Sequence, residues 1–573
     1  MPVHNAEVAE ILNKVADLLE IEEANPFRVR AYRNAARTVT SLPQSIASML
    51  EQNQDLSRLP GIGKDLAGKI RTIVETGGLP ILNELERHTP SGLVMLLGLP
   101  GLGPKRVHAL HETLGIETLD ALAVAARSGR IRALPGFGAK TEKNILHALE
   151  TRGAEKRRTL RSTAEAIATS LAAYLQQLPG VAAVEVAGSY RRRKETVGDL
   201  DVLVACGKDC PVIPRFVGYE DVAEVVSQGT TRSTVILRNG LQVDLRVVPE
   251  RSYGAALHYF TGSKAHNIAV RKMGVAKGLK INEYGVFKGK RSLAGRSEDE
   301  VYAQVGLPYI EPELREGRGE IEAAQEGRLP RLLTLGDIRG DLHSHSRASD
   351  GHDSIEAMAK AARALGYAYL SINDHSKRVT IAHGLDAKRL ARQIAEIERL
   401  NQRLDGIRVL KSSEVDILED GSLDLPKDVL GRLDLTLCAV HSKFDLSREK
   451  QTERIIRAMD HPCFNILAHP TGRLLNARPA IRLDMERLLA AARERNCFLE
   501  VNAQPERLDL TDLHCRMAKE LGVKVAISTD AHNAAGLGVM RYGVDQARRG
   551  WLEPDDVLNT RSWTDLAALL KRD

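Results

Sequence analysis

Three acidic residues are spaced as ligands for a pair of metal ions. Asp199 and Asp201 are separated by one residue at the head of the apolar run 202–204, and Asp244 lies in a second strand-like run, 241–248. Alternate residues of a strand point to the same face. Hard divalent cations prefer oxygen ligands, and two such ions stabilise both the attacking and the leaving oxygen of an in-line phosphoryl displacement. The spacing therefore predicts a phosphoryl-transfer site.

The segment just before these acids favours phosphate binding. It begins with Gly188 and Ser189 and continues with four cations at 191–194 (RRRK). A glycine lets the backbone approach a phosphate closely, and the cations neutralise its charge. The alternative is a solvated acidic turn that follows a basic one.

A second group of metal-ligand residues lies in the C-terminal part of the chain. From about residue 336, apolar strand-like runs alternate with amphipathic helical stretches, which is typical of a parallel βα array. Of seven predicted strands, six end in potential ligands, and 498–503 (FLEVNA) ends without a histidine or a second acid. The carboxyl ends of barrel strands are where βα-barrels build active sites. These residues are His343, His345, Asp350, Asp374, His375, Glu414, His441, His469, Asp530 and His532.

Three similar turns occur in the first third of the chain, at 59–63, 99–103 and 134–138, each reading LPGxG. A Lys-bearing helical pattern follows each turn. Free N–H groups at a helix N-terminus bind phosphate without reading a base. We therefore interpret the repeats as helix-hairpin-helix units that bind DNA backbone, the alternative being plain helix connectors. The predicted contacts are Gly61, Gly63, Lys64, Lys69, Gly101, Gly103, Lys105, Gly136, Gly138 and Lys140.

The motifs GS-x-RR at 188–192 and GDxDVL at 198–203 resemble the nucleotidyltransferase palm of family X DNA polymerases, the DNA polymerase beta group. Residues 259–263 (YFTGS) and 281–284 (INEY) resemble the nucleotide-selecting subdomain of the same family. The resemblance implies that Asp199, Asp201 and Asp244 bind Mg²⁺ or Mn²⁺. It also implies a nucleotide site formed by Gly188, Ser189, Arg192, Tyr259, Phe260, Gly262, Lys264, Asn267 and Arg271.

Two positions depart from the family pattern. Gln242 stands where DNA polymerase beta has Arg, and Lys264 replaces an acidic residue beside the nucleotide. Neither change removes a metal ligand, so the reaction is expected to persist.

The C-terminal pattern resembles the polymerase and histidinol phosphatase (PHP) superfamily, whose fold is a distorted seven-stranded βα-barrel that binds up to three metals. Known members hydrolyse phosphoesters. By resemblance, Mn²⁺ or Zn²⁺ is bound by nine residues: His343, His345, Asp350, His375, Glu414, His441, His469, Asp530 and His532.

Residues 1 to about 85 resemble the small N-terminal domain of the same polymerases, which in some relatives carries a lysine that forms a Schiff base with an abasic sugar. Lys69 falls at that position. The alternative for Lys69 is a solvated phosphate contact.

Composition and charge agree with a globular nucleic-acid-binding protein. The chain has 573 residues, 43% of them hydrophobic and 27% charged, which predicts three or more domains. No run approaches the roughly 18 apolar residues of a membrane span. The six cysteines show no paired spacing, which favours a reducing cytoplasm. The net charge of +6 is concentrated in 151–290, with 22 Lys and Arg against 13 Asp and Glu. Positive charge around the predicted palm favours a polyanionic partner.

We therefore predict a multidomain chain. A helical lyase-like domain spans 1–85 and a second helical domain with two hairpins spans 86–152. An α+β palm spans 153–250, a thumb-like subdomain 251–312, a flexible linker 313–335, and a PHP phosphoesterase barrel 336–573.

The expected function is gap filling in DNA repair by a DNA-directed DNA polymerase, with a Mn²⁺-dependent 3′→5′ exonuclease or abasic-site endonuclease in the PHP part. The expected partners are gapped or nicked duplex DNA and dNTPs, with the protein a monomer and no membrane involved. The alternatives are a PHP part that acts as a 3′-phosphatase or as a structural metal-bound partner, and end joining in place of gap filling.

Overall fold

A computed structural model describes residues 5–22, 24–42, 44–89, 91–97, 99, 102–150, 158–207 and 210–571. The chain divides into two compact units, Met1–Arg157 and Arg158–Asp573. In the described residues, no helix is both long and apolar enough to cross a membrane. All six cysteines are free thiols.

The first unit is helical, because its apolar residues recur at helical spacing and its turns contain glycine or proline. One apolar cluster includes Leu12, Tyr32 and Ile70, and a second includes Leu110 and Phe137. Its helices are α1 (Asn5–Ile21), α2 (Pro26–Ser41), α3 (Ile46–Glu51), α4 (Lys64–Thr76), α5 (Pro80–His88), α6 (Ser91–Leu97), α7 (Pro104–Leu114), α8 (Leu119–Arg127) and α9 (Ala139–Glu150).

The second unit begins with a five-stranded mixed sheet of order β2-β4-β7-β6-β5, in which β4 and β7 are parallel neighbours. Apolar residues of these strands pack against α10. A short pair, β1 and β3, lies beside it. The elements are β1 (Thr159–Leu160), α10 (Arg161–Gln176), β2 (Val181–Val186), α11 (Gly188–Arg191), β3 (Thr196–Val197), β4 (Asp199–Cys206), α12 (Val212–Val217), β5 (Val222–Gln228), β6 (Arg232–Leu237) and β7 (Gln242–Val248).

A small mixed region follows the sheet. Its three strands form an antiparallel sheet of order β10-β9-β8. Tyr302, Val270 and Val286 lie in its apolar cluster, to which Trp551 from the far end of the chain also belongs. The elements are α13 (Tyr253–Thr261), α14 (Lys264–Ala276), β8 (Lys280–Asn282), β9 (Gly285–Lys288), β10 (Arg291–Ala294), α15 (Glu298–Val305) and α16 (Glu320–Gln325).

The prediction of a flexible linker at 313–335 is wrong. Glu313 and Arg315 are buried, as is the apolar face of α16. The charges that suggested a linker are paired with distant residues: Glu313 with Arg548, and Arg315 with Glu298. Composition alone could not distinguish a solvated segment from one whose charges are compensated inside the fold.

Glu298 joins three segments of this region, and its loss is expected to destabilise the second unit. Its carboxylate, only 5% exposed, accepts hydrogen bonds from Arg191 (2.6 and 3.0 Å) and Arg315 (2.5 Å). Breaking a buried ion pair by removing one partner costs about 3–5 kcal/mol. We expect Glu298→Ala to lower the free energy of unfolding by that amount.

Tryptophan fluorescence measures this change, because both tryptophans, Trp551 and Trp563, lie in the second unit. The exposed Glu326, whose side chain pairs with Arg328 two residues away, provides the control Glu326→Ala. That variant is expected to stay within about 0.5 kcal/mol of wild type. Equal unfolding midpoints for the two variants would contradict the prediction.

The C-terminal part alternates short parallel strands with helices, as its apolar runs predict. Its apolar residues form two clusters, one that includes Ile372 and Val501 and one that includes Leu437 and Ile466. The elements are β11 (Gly340–Asp341), α17 (Ile355–Ala364), β12 (Tyr369–Ile372), α18 (Ala387–Asn401), β13 (Arg408–Lys411), β14 (Glu414–Asp416), α19 (Lys427–Leu430), β15 (Leu437–Ala439), α20 (Arg448–Met459), β16 (Ile466–Leu467), α21 (Met485–Glu494), β17 (Phe498–Asn502), α22 (Asp512–Glu520), β18 (Val525–Ser528), α23 (Met540–Arg549) and α24 (Trp563–Leu570).

These strands form two parallel sheets, β11-β12-β13 and β14-β15-β16-β17-β18, rather than one continuous ladder. Backbone contacts join the sheets at both edges. His375 bridges Glu414 on one side, and Ser344 bridges Ala531 on the other. The arrangement brings the carboxyl ends of the strands together, which is where the predicted metal ligands lie. The predicted single seven-stranded barrel stays a prediction.

Candidate functional sites

The palm acids lie on two adjacent parallel strands. Asp199 and Asp201 are on β4, and Asp201 is directly opposite Asp244 on β7. Neighbouring strands are about 4.8 Å apart, so the Asp201 and Asp244 side chains leave the sheet side by side. Burial, followed by the charges of Asp199 and Asp244, raises the pKa of Asp201 to about 7.

Asp244 is held in place by its neighbours. Its two carboxylate oxygens accept hydrogen bonds from the Thr234 hydroxyl (2.5 Å) and the Gln242 side-chain amide (2.7 Å). Gln242, which stands where the family pattern has Arg, therefore orients a predicted metal ligand.

The predicted metal ions fit this group of acids. Burial first, and then the charges of Asp199 and Asp244, raise the pKa of Asp201, and a divalent cation would stabilise the charged form of its carboxylate. The donor set is oxygen, which Mg²⁺ and Mn²⁺ accept.

A cavity of about 690 Å³ opens beside the acids. It is lined by two of them and by every residue predicted to bind nucleotide, whereas Asp244 does not itself line it. The predicted residues in its wall are Asp199, Asp201, Gly188, Ser189, Arg192, Tyr259, Phe260, Gly262, Lys264, Asn267 and Arg271.

Gly188 is required where the cavity meets β4. Its φ is +62°, and a Cβ at this position would lie 2.2 Å from an Asp201 carboxylate oxygen. Any side chain would therefore displace a predicted metal ligand.

Only two of the four cations at 191–194 line the cavity, Arg192 and Lys194. Arg191 is bound by Glu298, and Arg193 is bound by Glu313 and Asp545. The prediction that all four neutralise phosphate is therefore wrong for Arg191 and Arg193, because acids from distant segments hold them elsewhere.

Sequence reasoning missed Arg158, which also lines the cavity. Its guanidinium donates to the Thr196 hydroxyl (2.9 Å) and carbonyl (2.8 Å). Arg158 ends the basic run 156–158 (KRR), and that run was the only signal of its role.

One hydrogen bond joins the thumb-like side of the cavity to the palm, and a second lies within the thumb-like side. Arg192 donates to the Thr261 carbonyl (2.5 Å), and the Asn267 side chain donates to the Tyr259 carbonyl (2.7 Å). The turn at Gly262 has φ +68°. Tyr259 and Phe260 pack edge to face, with ring centroids 5.2 Å apart.

The second site gathers the nine predicted ligands of the C-terminal part. Eight of them form three groups whose ligand atoms lie within 4.8 Å of one another: His345, Asp350, His375 and His532; His343, His345 and Asp530; and His375, Glu414 and His441. The ninth, His469, has its Nε2 atom 2.7 Å from a Glu414 oxygen. His345 and His375 each belong to two groups, so the three groups are continuous.

Two ligand residues at this site have left-handed backbone conformations, His469 with φ +29° and Asp530 with φ +53°. Such strain in non-glycine residues collects at functional sites. Burial would lower the pKa of His441, but the nearby Glu414 carboxylate raises it to about 9. The Glu414 carboxylate thus favours positive charge on the His441 imidazole.

A metal fits this second group as well. His345 is fully buried, and its Nδ1 makes no hydrogen bond within the part of the chain that the structure describes. Mixed imidazole and carboxylate donors suit Mn²⁺ or Zn²⁺.

Glu500 and Asp416 orient the ligands and were not predicted. Glu500 lies 2.7 Å from His343 Nδ1 and accepts the His469 backbone N–H (2.7 Å), while Asp416 lies 3.1 Å from His441 Nδ1. Carboxylates at the second imidazole nitrogen fix ring orientation in metal sites. Glu500 is inside the run 498–503, two residues before Asn502 on the same strand face, and this alternation was the signal available.

Two predicted DNA-binding turns lead directly into helices. Gly63 and Gly103 cap α4 and α7 without any side-chain hydrogen bond, so no N-cap side chain occupies the first N–H groups of α4 or the Lys105 N–H of α7, whose first residue, Pro104, has none. Gly61 and Gly136 have positive φ, and Gly138 precedes α9. Gly101 and the side chain of Lys140 lie outside the described residues.

Lys69 forms an ion pair with Asp65 on the same helix. Burial would lower the pKa of Lys69, but Asp65 (2.7 Å) and Tyr32 outweigh it and raise the pKa. A Schiff base requires the neutral amine. The phosphate contact and the lyase lysine both stay predictions for Lys69.

The fold and the first site define the class, a nucleotidyltransferase with a beta-type palm, and family models agree. They match the DNA polymerase beta palm at 158–217, the DNA polymerase beta thumb at 256–316, a helix-hairpin-helix domain at 3–79 and a helix-hairpin-helix tandem at 93–151.

Sequence identity to individual proteins shows the family to which the chain belongs. The chain is 39% identical, over the full length of both proteins, to the DNA polymerase/3′-5′ exonuclease PolX of Bacillus subtilis. The chain therefore belongs to the family X DNA polymerases. It is also 26% identical to rat DNA polymerase lambda, over 55% of this chain and 56% of that protein. Its C-terminal part is 30% identical to a probable phosphatase of Thermoanaerobacter sp., over 38% of this chain and 89% of that protein.

Proposed function

We propose that this chain fills short gaps in DNA as a DNA-directed DNA polymerase and trims primer ends as a 3′→5′ exonuclease in its C-terminal part. The observation that carries the proposal is the cavity beside Asp199 and Asp201, whose wall combines carboxylates, cations and a Tyr-Phe pair. This combination suits a nucleoside triphosphate, because phosphates, metal ions and a sugar each find matching groups.

Each part of the cavity has a proposed role. Asp199, Asp201 and Asp244 hold the metal ions. Ser189 and Arg192 bind the triphosphate together with Arg158 and Lys194. Tyr259, Phe260 and Gly262 contact the sugar, and Lys264, Asn267 and Arg271 face the base pair.

Bound Mg²⁺ or Mn²⁺ lowers the pKa of the primer hydroxyl and neutralises the phosphates. The acids position the 3′-hydroxyl in line with the α-phosphate, and the cations hold the leaving pyrophosphate. The template selects the base by pairing.

The helical first unit is proposed to bind duplex backbone through its hairpins. Lys64 and Lys105 are exposed at the starts of α4 and α7. Each phosphate contact that is lost lowers the salt dependence of binding by about one unit in the slope of log K against log salt. We expect Lys64→Ala and Lys105→Ala each to weaken binding of gapped duplex and to lower the slope of log K against log salt by about one unit.

Fluorescence anisotropy over a salt series measures these slopes. The control is Lys360→Ala, since Lys360 is exposed and lies in the C-terminal part, paired with Glu356. Unchanged slopes for both hairpin variants would contradict a role in backbone binding.

The C-terminal site is proposed to hydrolyse DNA phosphodiesters with Mn²⁺, or Zn²⁺, in up to three positions. The nine ligands would hold the ions, with Glu500 and Asp416 orienting imidazoles. When bound, such ions supply hydroxide near neutral pH. Cleavage at abasic sites would use the same groups.

A second candidate for this site is a phosphomonoesterase, which the match to a probable phosphatase favours. Wild-type protein incubated with Mn²⁺ and a 5′-labelled primer on a one-nucleotide gap tests both. Extension with dNTPs and shortening without them support the proposal. Turnover of p-nitrophenyl phosphate with no shortening would favour the phosphatase.

We place the protein in the cytoplasm as a monomer. Its six free thiols support a reducing compartment.

A further inference from the structure

The turn that carries Arg192 is enclosed by residues from the end of the chain. Helix α23, which follows the last strand of the C-terminal part, contributes Asp545, Gln546 and Arg549 to this contact. Asp545 binds Arg193 and also Arg161 at the start of the palm. This enclosure is part of the second unit alone.

Arg549 is a buried member of this contact, 4% exposed. One of its amino groups donates to the backbone carbonyl of Arg192 (2.7 Å) and to Glu316 (3.0 Å). The other donates to Asp512 (2.6 Å). A single guanidinium thus fixes both the main chain of a cavity residue and the acid beside it.

Glu316 is the acid that contacts the cations of the cavity. Its carboxylate lies 3.1 Å from Arg192 and 3.6 Å from Lys194, the two turn cations that line the cavity. With Arg549 in place, Glu316 is shared among three cations. Without Arg549, its full charge falls on Arg192 and Lys194, where it competes with a phosphate for the same guanidinium.

Residues of the C-terminal part also hold the other side of this turn, through Glu195. Glu195, next in sequence after the four cations, accepts hydrogen bonds from Arg473 (2.5 Å) and Gln546 (2.7 Å), both in the C-terminal part. The turn is therefore held on each side by residues more than 270 positions away in sequence.

We propose that Arg549 is a positioning residue for the nucleotide site: it fixes the Arg192 main chain and restrains Glu316, so that Arg192 and Lys194 remain available to the triphosphate. This inference rests on the proposed polymerase function. It assigns to the C-terminal part a role in nucleotide binding that is separate from its metal ligands.

The test is nucleotide titration of the full-length protein on a one-nucleotide-gapped duplex. A dideoxy-terminated primer gives the equilibrium Kd for the complementary dNTP, and an extendable primer gives KM and kcat. Arg549→Gln is expected to raise Kd and KM about tenfold while kcat changes by less than about threefold. Arg549→Lys, which keeps one charge but loses the fork, is expected to fall in between.

Arg541→Gln is the matched control, because Arg541 lies on the same helix, is 52% exposed and contacts Glu165 and Tyr542 instead of the turn. It is expected to stay within about twofold of wild type. Primer shortening by Arg549→Gln at the wild-type rate would establish that its C-terminal part is folded. If Arg549→Gln does not fold, Arg549→Lys carries the test in the same direction.

A Kd for Arg549→Gln, or for Arg549→Lys where only that variant folds, equal to that of Arg541→Gln would overturn the inference. A loss in kcat alone would also overturn it, since positioning of a triphosphate-binding group must appear in Kd. The proposed function fails separately, if wild-type protein does not extend a primer at all.

Discussion

Replacing Asp201 by Ala is expected to lower primer extension about a thousandfold or more while primer shortening continues at the wild-type rate. Asp201 lies opposite Asp244 on the neighbouring parallel strand, and its removal takes away one of the three proposed metal ligands. The expected loss corresponds to about 4 kcal/mol of transition-state stabilisation.

Single-turnover extension of a 5′-labelled primer on a one-nucleotide gap measures this effect. Asp221→Ala is the control, because Asp221 is an exposed acid of the same palm. It should extend as wild type does. If Asp201→Ala extends the primer at a rate within tenfold of the control, the palm acids are not required for the polymerase reaction.

Replacing His345 by Ala is expected to lower primer shortening about a thousandfold or more and to leave extension intact. His345 belongs to two of the three groups of potential ligands and is fully buried. Its loss is therefore expected to disturb two of these groups at once.

The same labelled primer without dNTPs measures shortening, and elemental analysis of the purified variant measures bound metal, which is expected to fall. His461→Ala is the control, since His461 precedes β16, at the opposite end of the strand from the ligand His469. If His345→Ala binds less metal but still shortens the primer at the wild-type rate, the hydrolysis does not occur at this group of ligands.

The residues that could be predicted from the sequence are those whose signal is local. Asp199 and Asp201 follow from strand alternation, and the histidines of the C-terminal part follow from their place after apolar runs. Helix starts at Lys64 and Pro104 follow from the LPGxG turns.

The residues that could not be predicted depend on partners far away in sequence. Arg191, Arg192 and Arg193 are identical in type and adjacent, yet only Arg192 lines the cavity, because Glu298 and Asp545 hold the other two. The role of Glu500 likewise depends on His343, 157 residues earlier. Local composition also favoured a solvated segment at 313–335, although Glu313 and Arg315 are paired inside the fold.

The burial of 313–335 and the contacts of α23 determine how the two activities can be separated experimentally. A polymerase fragment cut near residue 335 would expose Arg161 and Glu195 to water, remove Asp545 from Arg193 and leave the Arg192 carbonyl without its donor. Loss of activity in such a fragment would then report a damaged nucleotide pocket rather than a need for hydrolysis. Dissection of this chain therefore requires point variants in the intact protein, and its two halves are expected to tolerate recombination with those of distant relatives poorly.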